Sequence, residues 1–330
     1  MTFTPSRLRG LFTATGVALA LALQAAPASA QGAWPSKAVR IIVGYPSGSS
    51  PDVQARLIAE PLGKALGQPV IVENRPGAGG NIGADLVAKA GDGHTIGVIG
   101  NGPLTTSKAL YPKLPFDPQK DLAPVALIGA APLVWTTSPA LFRGNVPEYV
   151  AHLRAEGDKA AYGSVGAGSG GHLGMEVIKQ SLRINPLHVP FNGGPAITNA
   201  IMGGQVQMTL LPAATVMPLV QAGRLAAVAV TSARRSPLAP DLPSMEEIGA
   251  RGVDIEVWNA VMAPSAMPAA NRARLAAELS RILQSREIRQ VLLAQGWRTD
   301  DSSPEAAARR IRSDSALYGE LIARQGIRLE

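Results

Sequence analysis

The sequence contains no cysteine, few aromatic residues and, after its first 30 residues, no apolar run long enough to span a membrane. Without cysteine there are no disulfide bonds or thiolate metal sites, so an ordinary hydrophobic core must stabilise the fold. Aromatic residues make up only 4% of the chain, too few for base-stacking platforms. Positive charge is scattered over C-terminal segments such as 286–289 and 309–312, which is typical of solvated helix faces. We therefore expect no nucleic-acid partner.

The first 30 residues are typical of a secretory signal peptide. Arg7 and Arg9 precede an apolar run at 11–26, and Ala28-Ser29-Ala30 matches a small-residue cleavage signal. The run is shorter than the roughly 20 residues that a spanning helix needs. We expect cleavage after Ala30 and a periplasmic mature protein, whose formal charge of +7 falls by the two arginines to 7 − 2 = +5.

From residue 41 onward, strand-like and helix-like patterns alternate, which predicts an α/β protein with mainly parallel sheets flanked by helices. A β-prone run at 125–137 is too long for one short strand and is typical of a strand that passes between domains. The length of the chain also favours two domains. We predict a discontinuous first domain (32–132 plus 254–330), an inserted second domain (133–253) and a ligand cleft between them that closes by hinge motion.

Two glycine- and serine-rich loops join a strand to a helix, one in each predicted domain. The first is GYPSGSSPD at 44–52, and the second is GSVGAGSGGH at 163–172. Such loops let a backbone approach a ligand and direct unpaired N–H groups of a helix N-terminus at an anion. For the first loop, an ordinary turn in which Ser50 or Asp52 only caps the helix remains an equal alternative.

The second loop also fits two catalytic patterns. Gly166, Gly168 and Gly171 satisfy the dinucleotide-binding spacing, but the acidic residue expected after the next strand is replaced by Phe191-Asn192-Gly193. The same loop resembles a degenerate nucleophile elbow with Ser169 as nucleophile. An α/β-hydrolase needs an acid and then a histidine after its serine, but here the last histidine is His188 and only Glu176 lies between it and Ser169. An exported serine hydrolase is therefore kept only as the alternative function.

The four histidines, at positions 94, 152, 172 and 188, do not have the spacing of metal ligands. We therefore expect no metal and no cofactor. His172 is interpreted as a hydrogen-bonding brace or pocket wall, and His188 as structural. What remains is a cleft without a catalytic constellation, which favours binding of a small carboxylate by backbone N–H groups and serine hydroxyls.

Nearly the whole mature chain resembles the Bug-type (TctC-like) periplasmic solute receptors of tripartite tricarboxylate transporters. The motifs that carry this resemblance, in order, are GYPSGSSPD at 44–52, VENRPGAGGNIGA at 72–84, LYPKLPFDP at 110–118, GAGSGGH at 166–172, HVPF at 188–191, GGQV at 203–206, AVTS at 229–232 and AP at 263–264.

The resemblance implies a two-domain periplasmic-binding-protein fold, type II-like, that closes on a small carboxylate and delivers it to a membrane permease. It implies a receptor, not an enzyme, and we expect a monomer. The ligand-binding residues that it implies are Tyr45, Ser47, Gly48, Ser49, Ser50, Asp52, Asn101, Ser164, Gly168, Ser169, Gly170, His172, Phe191, Asn192 and Gly193.

This chain departs from the family pattern at the predicted cleft. Ser49 replaces the second glycine of a usual Gly-Gly pair, and Ser164 and Ser169 are the only hydroxyl-bearing residues of the second loop. The strand that often ends in an acidic residue reads Thr209-Leu210-Leu211 instead. These departures predict a less polar ligand than citrate, such as an aromatic or short-chain monocarboxylate.

Overall fold

The computed structural model describes residues 34–237 and 239–327. The predicted signal peptide lies outside these residues. Residues 34–36 contain two bends and no regular element, and the description that follows concerns the unit that begins at Lys37. No helix among the described residues is both long and apolar enough to cross a membrane.

The strands are β1 (Val39–Val43), β2 (Val70–Asn74), β3 (Thr95–Gly100), β4 (Leu122–Thr137), β5 (Ala161–Ser164), β6 (Leu187–Pro190), β7 (Met208–Pro212), β8 (Ala226–Val230) and β9 (Glu256–Pro264). They form one sheet in the order β2-β1-β3-β9-β4-β7-β5-β6, with β8 also paired to β4.

The predicted long strand is confirmed as β4, which has 16 residues. Its first part pairs with β9 over Leu122 to Pro132, and its last part pairs with β7 and β8 from Leu133 onward. We call β1, β2, β3, β9 and the first part of β4 the first sheet segment, and β5 to β8 with the last part of β4 the second. The boundaries of the two predicted domains stay a prediction.

The pairing refines the expected mainly parallel sheet. β1 is parallel to β2 and β3, and β5 is parallel to β6 and β7. The centre is antiparallel, because β9 runs against both β3 and β4, and β4 runs against β7 and β8. The α/β class is confirmed.

The helices are α1 (Ser50–Leu66), α2 (Asn81–Ala88), α3 (Asn101–Thr105), α4 (Ser107–Leu110), α5 (Val146–Glu156), α6 (Gly170–Leu182), α7 (Gly194–Met202), α8 (Ala213–Gln221), α9 (Ala269–Gln284), α10 (Arg286–Ala294) and α11 (Pro304–Gln325).

One helix start differs clearly from expectation. The strand–helix alternation of the sequence predicts a helix from Met217 to Gly223 at this place. In the structure α8 begins at Ala213, directly after β7, and Pro218 lies inside the helix. The N-terminus of α8 therefore lies beside the end of β7.

Two buried clusters hold the sheet and helices together. The cluster on the first sheet segment includes Ile42, Val87 and Trp258, and the one on the second includes Trp135, Tyr149 and Tyr162. The C-terminal helix α11 is tied to β9 where the Trp258 indole donates a 2.7 Å hydrogen bond to Asp314. The loops that follow the parallel strands are thus presented from a well-packed framework.

Candidate functional site

A cleft lies where the loops after β1, β3, β5, β6 and β7 meet, with an empty volume of about 620 Å³ including its open mouth. Parallel strands direct their carboxyl ends to one edge of a sheet, where α/β proteins bind their ligands. The lining residues are Tyr45, Ser49, Ser50, Pro51, Gly100, Asn101, Gly102, Leu133, Val165, Ser169, Gly170, Gly171, Gly194, Leu210, Leu211, Pro212, Thr215, Val257, Asn259 and Trp297.

Six of the fifteen site residues expected from sequence line this cleft: Tyr45, Ser49, Ser50, Asn101, Ser169 and Gly170. The other nine lie outside the lining: Ser47, Gly48, Asp52, Ser164, Gly168, His172, Phe191, Asn192 and Gly193. Six of these nine belong to the two loops themselves, and the structure gives most of the nine identifiable contacts.

The first loop is braced by the carboxylate of Asp52, which is 2% exposed. It accepts hydrogen bonds from the Gly48 N–H at 2.9 Å, the Asn74 amide at 2.8 Å and the Arg56 guanidinium at 3.1 Å. Burial raises the pKa of Asp52, but these hydrogen bonds and the Arg56 charge outweigh burial and hold it below its ordinary value. Ser47 and Gly48 are exposed at the outer side of the loop.

Neither Ser50 nor Asp52 is the N-cap of α1. That position is Ser49, whose hydroxyl donates to the Pro46 carbonyl at 2.7 Å and makes no capping bond. The first turn of α1 therefore begins without a side-chain cap at the cleft wall. Tyr45 fixes the base of the loop, because its hydroxyl donates to the Gly79 carbonyl at 2.7 Å, and burial raises its pKa.

The second loop is braced by two neutral imidazoles that stack at a centroid distance of 4.2 Å. Nδ1 of His172 accepts the Gly168 N–H at 3.1 Å, and Nε2 of His188 lies 2.7 Å from the Ser164 hydroxyl. Ser164 in turn donates to the Gly166 carbonyl and accepts from the Gly166 N–H. Burial lowers the pKa of both histidines, that of His188 to about 3, so both are uncharged near neutral pH.

Ser169 is the N-cap of α6, and its side-chain oxygen accepts the backbone N–H of His172 at 3.3 Å. The imidazole of His172 is engaged with Gly168 instead. Ser169 thus lines the cleft in a capping role, and the described hydrogen bonds give its hydroxyl no imidazole partner.

Phe191 and Gly193 pack between elements of the fold. The Phe191 ring lies against Gly163 of β5, and Gly193 lies against the ring of Pro46 in the first loop. Asn192 between them is exposed. The loop after β6 thus touches the first loop directly.

Two further contacts join the loops of the two sheet segments. The Thr106 hydroxyl donates to the Gly168 carbonyl at 2.7 Å, and Gly79 lies so close to Gly166 that a Cβ on Gly166 would come within 2.7 Å of the Gly79 Cα. The second loop is therefore in contact with Gly79, which follows β2, and with Thr106, which follows α3.

Two buried amides contribute polar atoms to the cleft. Nδ2 of Asn101 has no hydrogen-bond partner, although the residue is only 5% exposed. The Asn259 amide donates to Gln54 at 2.8 Å. An unpaired buried donor costs free energy unless something binds it, so Asn101 marks the place for a hydrogen-bond acceptor.

Several lining residues were missed by sequence reasoning, notably Asn259, Thr215, Trp297 and the aliphatic residues Leu133 and Val257. They come from β4, β9, α8 and the turn after α10, none of which has a glycine-rich motif. The motif AP at 263–264 pointed to β9, but not to a particular side chain.

The electrostatics of the cleft come from the backbone. Residues in the first turns of α1, α6, α7 and α8 line it, and each of these helices has eight or more residues. No acidic, basic or histidine side chain is in the lining. Helix N-termini carry partial positive charge, so the cleft is suited to an anion held by neutral donors.

Among the described residues, no group of three or more His, Asp or Glu is placed to hold a metal ion.

An α/β framework with an uncharged cleft at the carboxyl ends of its strands is suited to binding a small ligand. A family profile described as "Tripartite tricarboxylate transporter family receptor" matches residues 54–327. This chain belongs to that family, which confirms the resemblance and the periplasmic-binding-protein fold class inferred from its motifs.

Among known relatives, protein BugT of Bordetella pertussis is 32% identical over 323 residues, covering 97% of this chain and 98% of that protein. The structure of Rpa4515 from R. palustris with adipate is 30% identical with a TM-score of 0.86, covering 90% of this chain and 100% of that one. MatC from Rhodopseudomonas palustris with bound malate is 29% identical with a TM-score of 0.82, covering 88% of this chain and 100% of that one.

Proposed function

We propose that this protein is a periplasmic receptor that binds a small carboxylate in the described cleft and delivers it to the permease subunits of a tripartite tricarboxylate transporter. The observation that carries the proposal is the convergence of four helix N-termini on a cleft without charged side chains. Each N-terminus stabilises an anion by about 0.3–1 kcal/mol at an exposed site and by more when water is excluded.

The lining residues provide the direct contacts in this proposal. The Asn101 amide and the first-turn N–H groups near Ser50 and Gly170 donate to the carboxylate, with the hydroxyls of Ser49 and Ser169 beside them. Charge-assisted hydrogen bonds of this kind contribute about 1.5–3 kcal/mol each. The remaining predicted site residues, such as Asp52, Ser164 and His172, act by holding the loops in place.

The bound adipate and malate of the two structural relatives support a carboxylate as the ligand class. The lining of this chain adds a preference for low polarity, because Leu133, Leu210 and Val257 supply apolar walls. A short-chain or aromatic monocarboxylate matches one anion-binding end and an apolar remainder. Tight binding of citrate without affinity for benzoate or nicotinate would contradict this preference.

In this proposal the two predicted domains capture and release the carboxylate by hinge motion. Movement of the first domain (32–132 plus 254–330) against the second (133–253) would open the cleft, and the contacts of the second loop with Gly79 and Thr106 would form on closure. We propose a monomer that is exported by the signal peptide of residues 1–30 and cleaved after Ala30.

The first test is thermal unfolding of the protein from Gln31 onward with mono-, di- and tricarboxylates, aromatic acids and amino acids. A ligand at 100 times its dissociation constant adds about 2.7 kcal/mol to the free energy of unfolding, which raises the melting temperature measurably. A shift confined to carboxylates supports the receptor. A shift with amino acids or citrate alone would contradict the proposed ligand class.

Ser169→Ala distinguishes the receptor from the serine hydrolase. Because Ser169 caps α6 and lines the cleft, the variant should bind the identified carboxylate several-fold more weakly, and neither it nor the wild type should hydrolyse chromogenic esters. Ester turnover by the wild type that Ser169→Ala abolishes would overturn the receptor in favour of the enzyme.

A further inference from the structure

Trp297 forms part of the cleft wall although it lies far from every loop motif in the sequence. It follows α10, and its backbone N–H donates to the Leu292 carbonyl at 2.9 Å. The next residues are fixed to β4: Arg298 and Ala130 exchange two backbone hydrogen bonds of 2.8 and 2.9 Å, and the Thr299 hydroxyl donates to the Ile128 carbonyl. The indole, only 2% exposed, is therefore held rigidly.

Trp297 also lines a second depression, which we call the outer groove. The groove is lined by Gln284, Arg286, Arg289, Gln290, Leu293, Trp297, Arg298, Thr299 and Asp300 and has an empty volume of about 730 Å³. Because Trp297 is common to the linings of the cleft and of this groove, the two spaces meet at this residue.

The two spaces differ in charge. The cleft lining has no cationic side chain, whereas the outer groove has three arginines. Arg298 is paired with Glu256 at 3.0 Å and with Asp300 at 2.7 Å. Arg286 and Arg289 form no ion pair with the described residues and are exposed. Two arginines near the groove therefore remain available to a carboxylate that reaches it.

We propose that Trp297 determines the specificity of the cleft: by closing it against the outer groove, the indole limits the ligand to short acids with a single carboxylate. This inference rests on the proposed function. The apolar part of the ligand packs on the indole, which supplies a large rigid surface. A longer diacid would have to displace the indole before its second carboxylate reached Arg286 or Arg289.

The test compares hexanoate with decanedioate by isothermal titration calorimetry on wild type, Trp297→Leu and Trp297→Phe. Wild type should bind hexanoate and show little affinity for decanedioate. Trp297→Leu joins the two spaces, so the affinity ratio of decanedioate to hexanoate should rise by about tenfold or more. Trp297→Phe keeps an aromatic partition and should retain the wild-type ratio.

Two further variants separate selectivity from general destabilisation. Trp135→Leu removes an equally buried indole from the core cluster of the second sheet segment, outside the cleft lining. This variant should lower the melting temperature without changing the affinity ratio of decanedioate to hexanoate. Adding Arg286→Gln and Arg289→Gln to Trp297→Leu should cancel most of the gain for decanedioate. If Trp297→Leu does not fold, Trp297→Met, which keeps more of the buried volume, replaces it.

The outcomes distinguish this inference from the function on which it rests. Wild-type binding of short acids with an unchanged ratio in Trp297→Leu would overturn the role of Trp297 and leave the receptor intact. A gain that survives loss of both arginines would overturn their part in it. Binding of no carboxylate by the wild type would overturn the receptor itself.

Discussion

The two glycine- and serine-rich loops offer similar backbones to the cleft but are braced by opposite chemistry. Behind the first loop, the ionised Asp52 accepts hydrogen bonds from Gly48, Asn74 and Arg56. Behind the second loop, the neutral imidazoles of His172 and His188 stack and hold Gly168 and Ser164. The brace of the first loop requires an ionised side chain, whereas that of the second loop requires uncharged side chains.

This difference shows that a loop which presents N–H groups to an anion can be fixed in two ways. A carboxylate close to the cleft repels an anionic ligand. The positive charge of Arg56 offsets the negative charge of Asp52, and the hydrogen bonds from N–H donors partly neutralise it. Imidazoles with depressed pKa values add no charge at neutral pH. Both solutions leave the helix N-termini as the dominant field in the cleft.

The largest expected effect comes from Gly166→Ala, which fills the space between the second loop and Gly79. Gly166 has a φ of 126°, and a Cβ there would lie 2.7 Å from the Gly79 Cα. The second loop then cannot approach Gly79 without backbone strain, so we expect the affinity for the identified carboxylate to fall about a hundredfold, or about 2.7 kcal/mol. Calorimetric titration measures this.

The matched control is Gly144→Ala. Gly144 also has a positive φ, of 93°, but a Cβ there meets nothing within 4 Å. It should lose about 1–2 kcal/mol of folding stability from backbone strain while its affinity stays near the wild-type value. Equal affinity losses in both variants would show that binding does not depend on the contact between the second loop and Gly79.

The charged brace is tested by Asp52→Ala, which removes the acceptor shared by Gly48, Asn74 and Arg56. Because the Gly48 N–H and the Asn74 amide lose a buried partner, the free energy of unfolding should fall by about 2–3 kcal/mol, and the affinity should fall with it. Urea unfolding measures the first effect. Glu60→Ala removes an exposed i,i+4 pair with Lys64 from the same helix and should leave the midpoint almost unchanged.

The comparison also shows where sequence reasoning succeeded. Hydrophobic periodicity predicted β4, because a long apolar strand has a clear pattern. The glycine-rich loops identified the edge of the sheet where the cleft lies. Asn101 could be placed there because it directly follows the buried strand β3, and Tyr45 and Ser49 because they belong to the first loop.

The remaining parts of the site depend on tertiary packing. Trp297 and Asn259 reach the cleft through contacts with β4 and α1 that no local pattern encodes. Polar loop residues are also ambiguous in sequence, because Ser47 and Asp52 have the composition of ligand-binding residues, yet their side chains contact each other at 3.4 Å outside the cleft lining. The Asp52→Ala variant measures whether such a residue affects binding by holding the loop in place.

The neutral brace predicts acid sensitivity that the charged brace lacks. The pKa values of His172 and His188 are lowered by burial, that of His188 to about 3. In the unfolded chain both titrate near 6.5, so between about 6.5 and 3 the unfolded state binds more protons and folding stability falls as the pH falls. Each group contributes at most about 1.4 kcal/mol per pH unit, less for the partly exposed His188.

The depressed pKa of Asp52 acts only at lower pH. Its contribution is present above the ordinary aspartate value of 3.8 and is lost as the pH falls below it. Between pH 7 and 5 the second loop alone should therefore weaken.

Urea unfolding at several pH values tests this. The slope of the free energy of unfolding against pH should flatten in His188→Gln and persist in the control His152→Gln, which alters an exposed residue of α5. The charged groups nearest the two histidines, Glu176 and Lys179, form an ion pair at 2.9 Å.

The smallest expected effect concerns the hydrogen bond between Thr106, which follows α3, and the second loop. The Thr106 hydroxyl donates to the Gly168 carbonyl at 2.7 Å, and both residues are buried. Thr106→Val keeps the shape of the side chain but leaves that carbonyl unpaired, which costs about 1 kcal/mol and should weaken ligand binding about fivefold, mainly through faster release.

Thr105→Val is the matched control, because the buried hydroxyl of Thr105 donates to the Asn101 carbonyl within α3. Stopped-flow release rates that rise in Thr106→Val and not in Thr105→Val would identify this bond as part of the closed state, whereas equal rates in both variants would leave closure to the glycine contacts at Gly79 and Gly166.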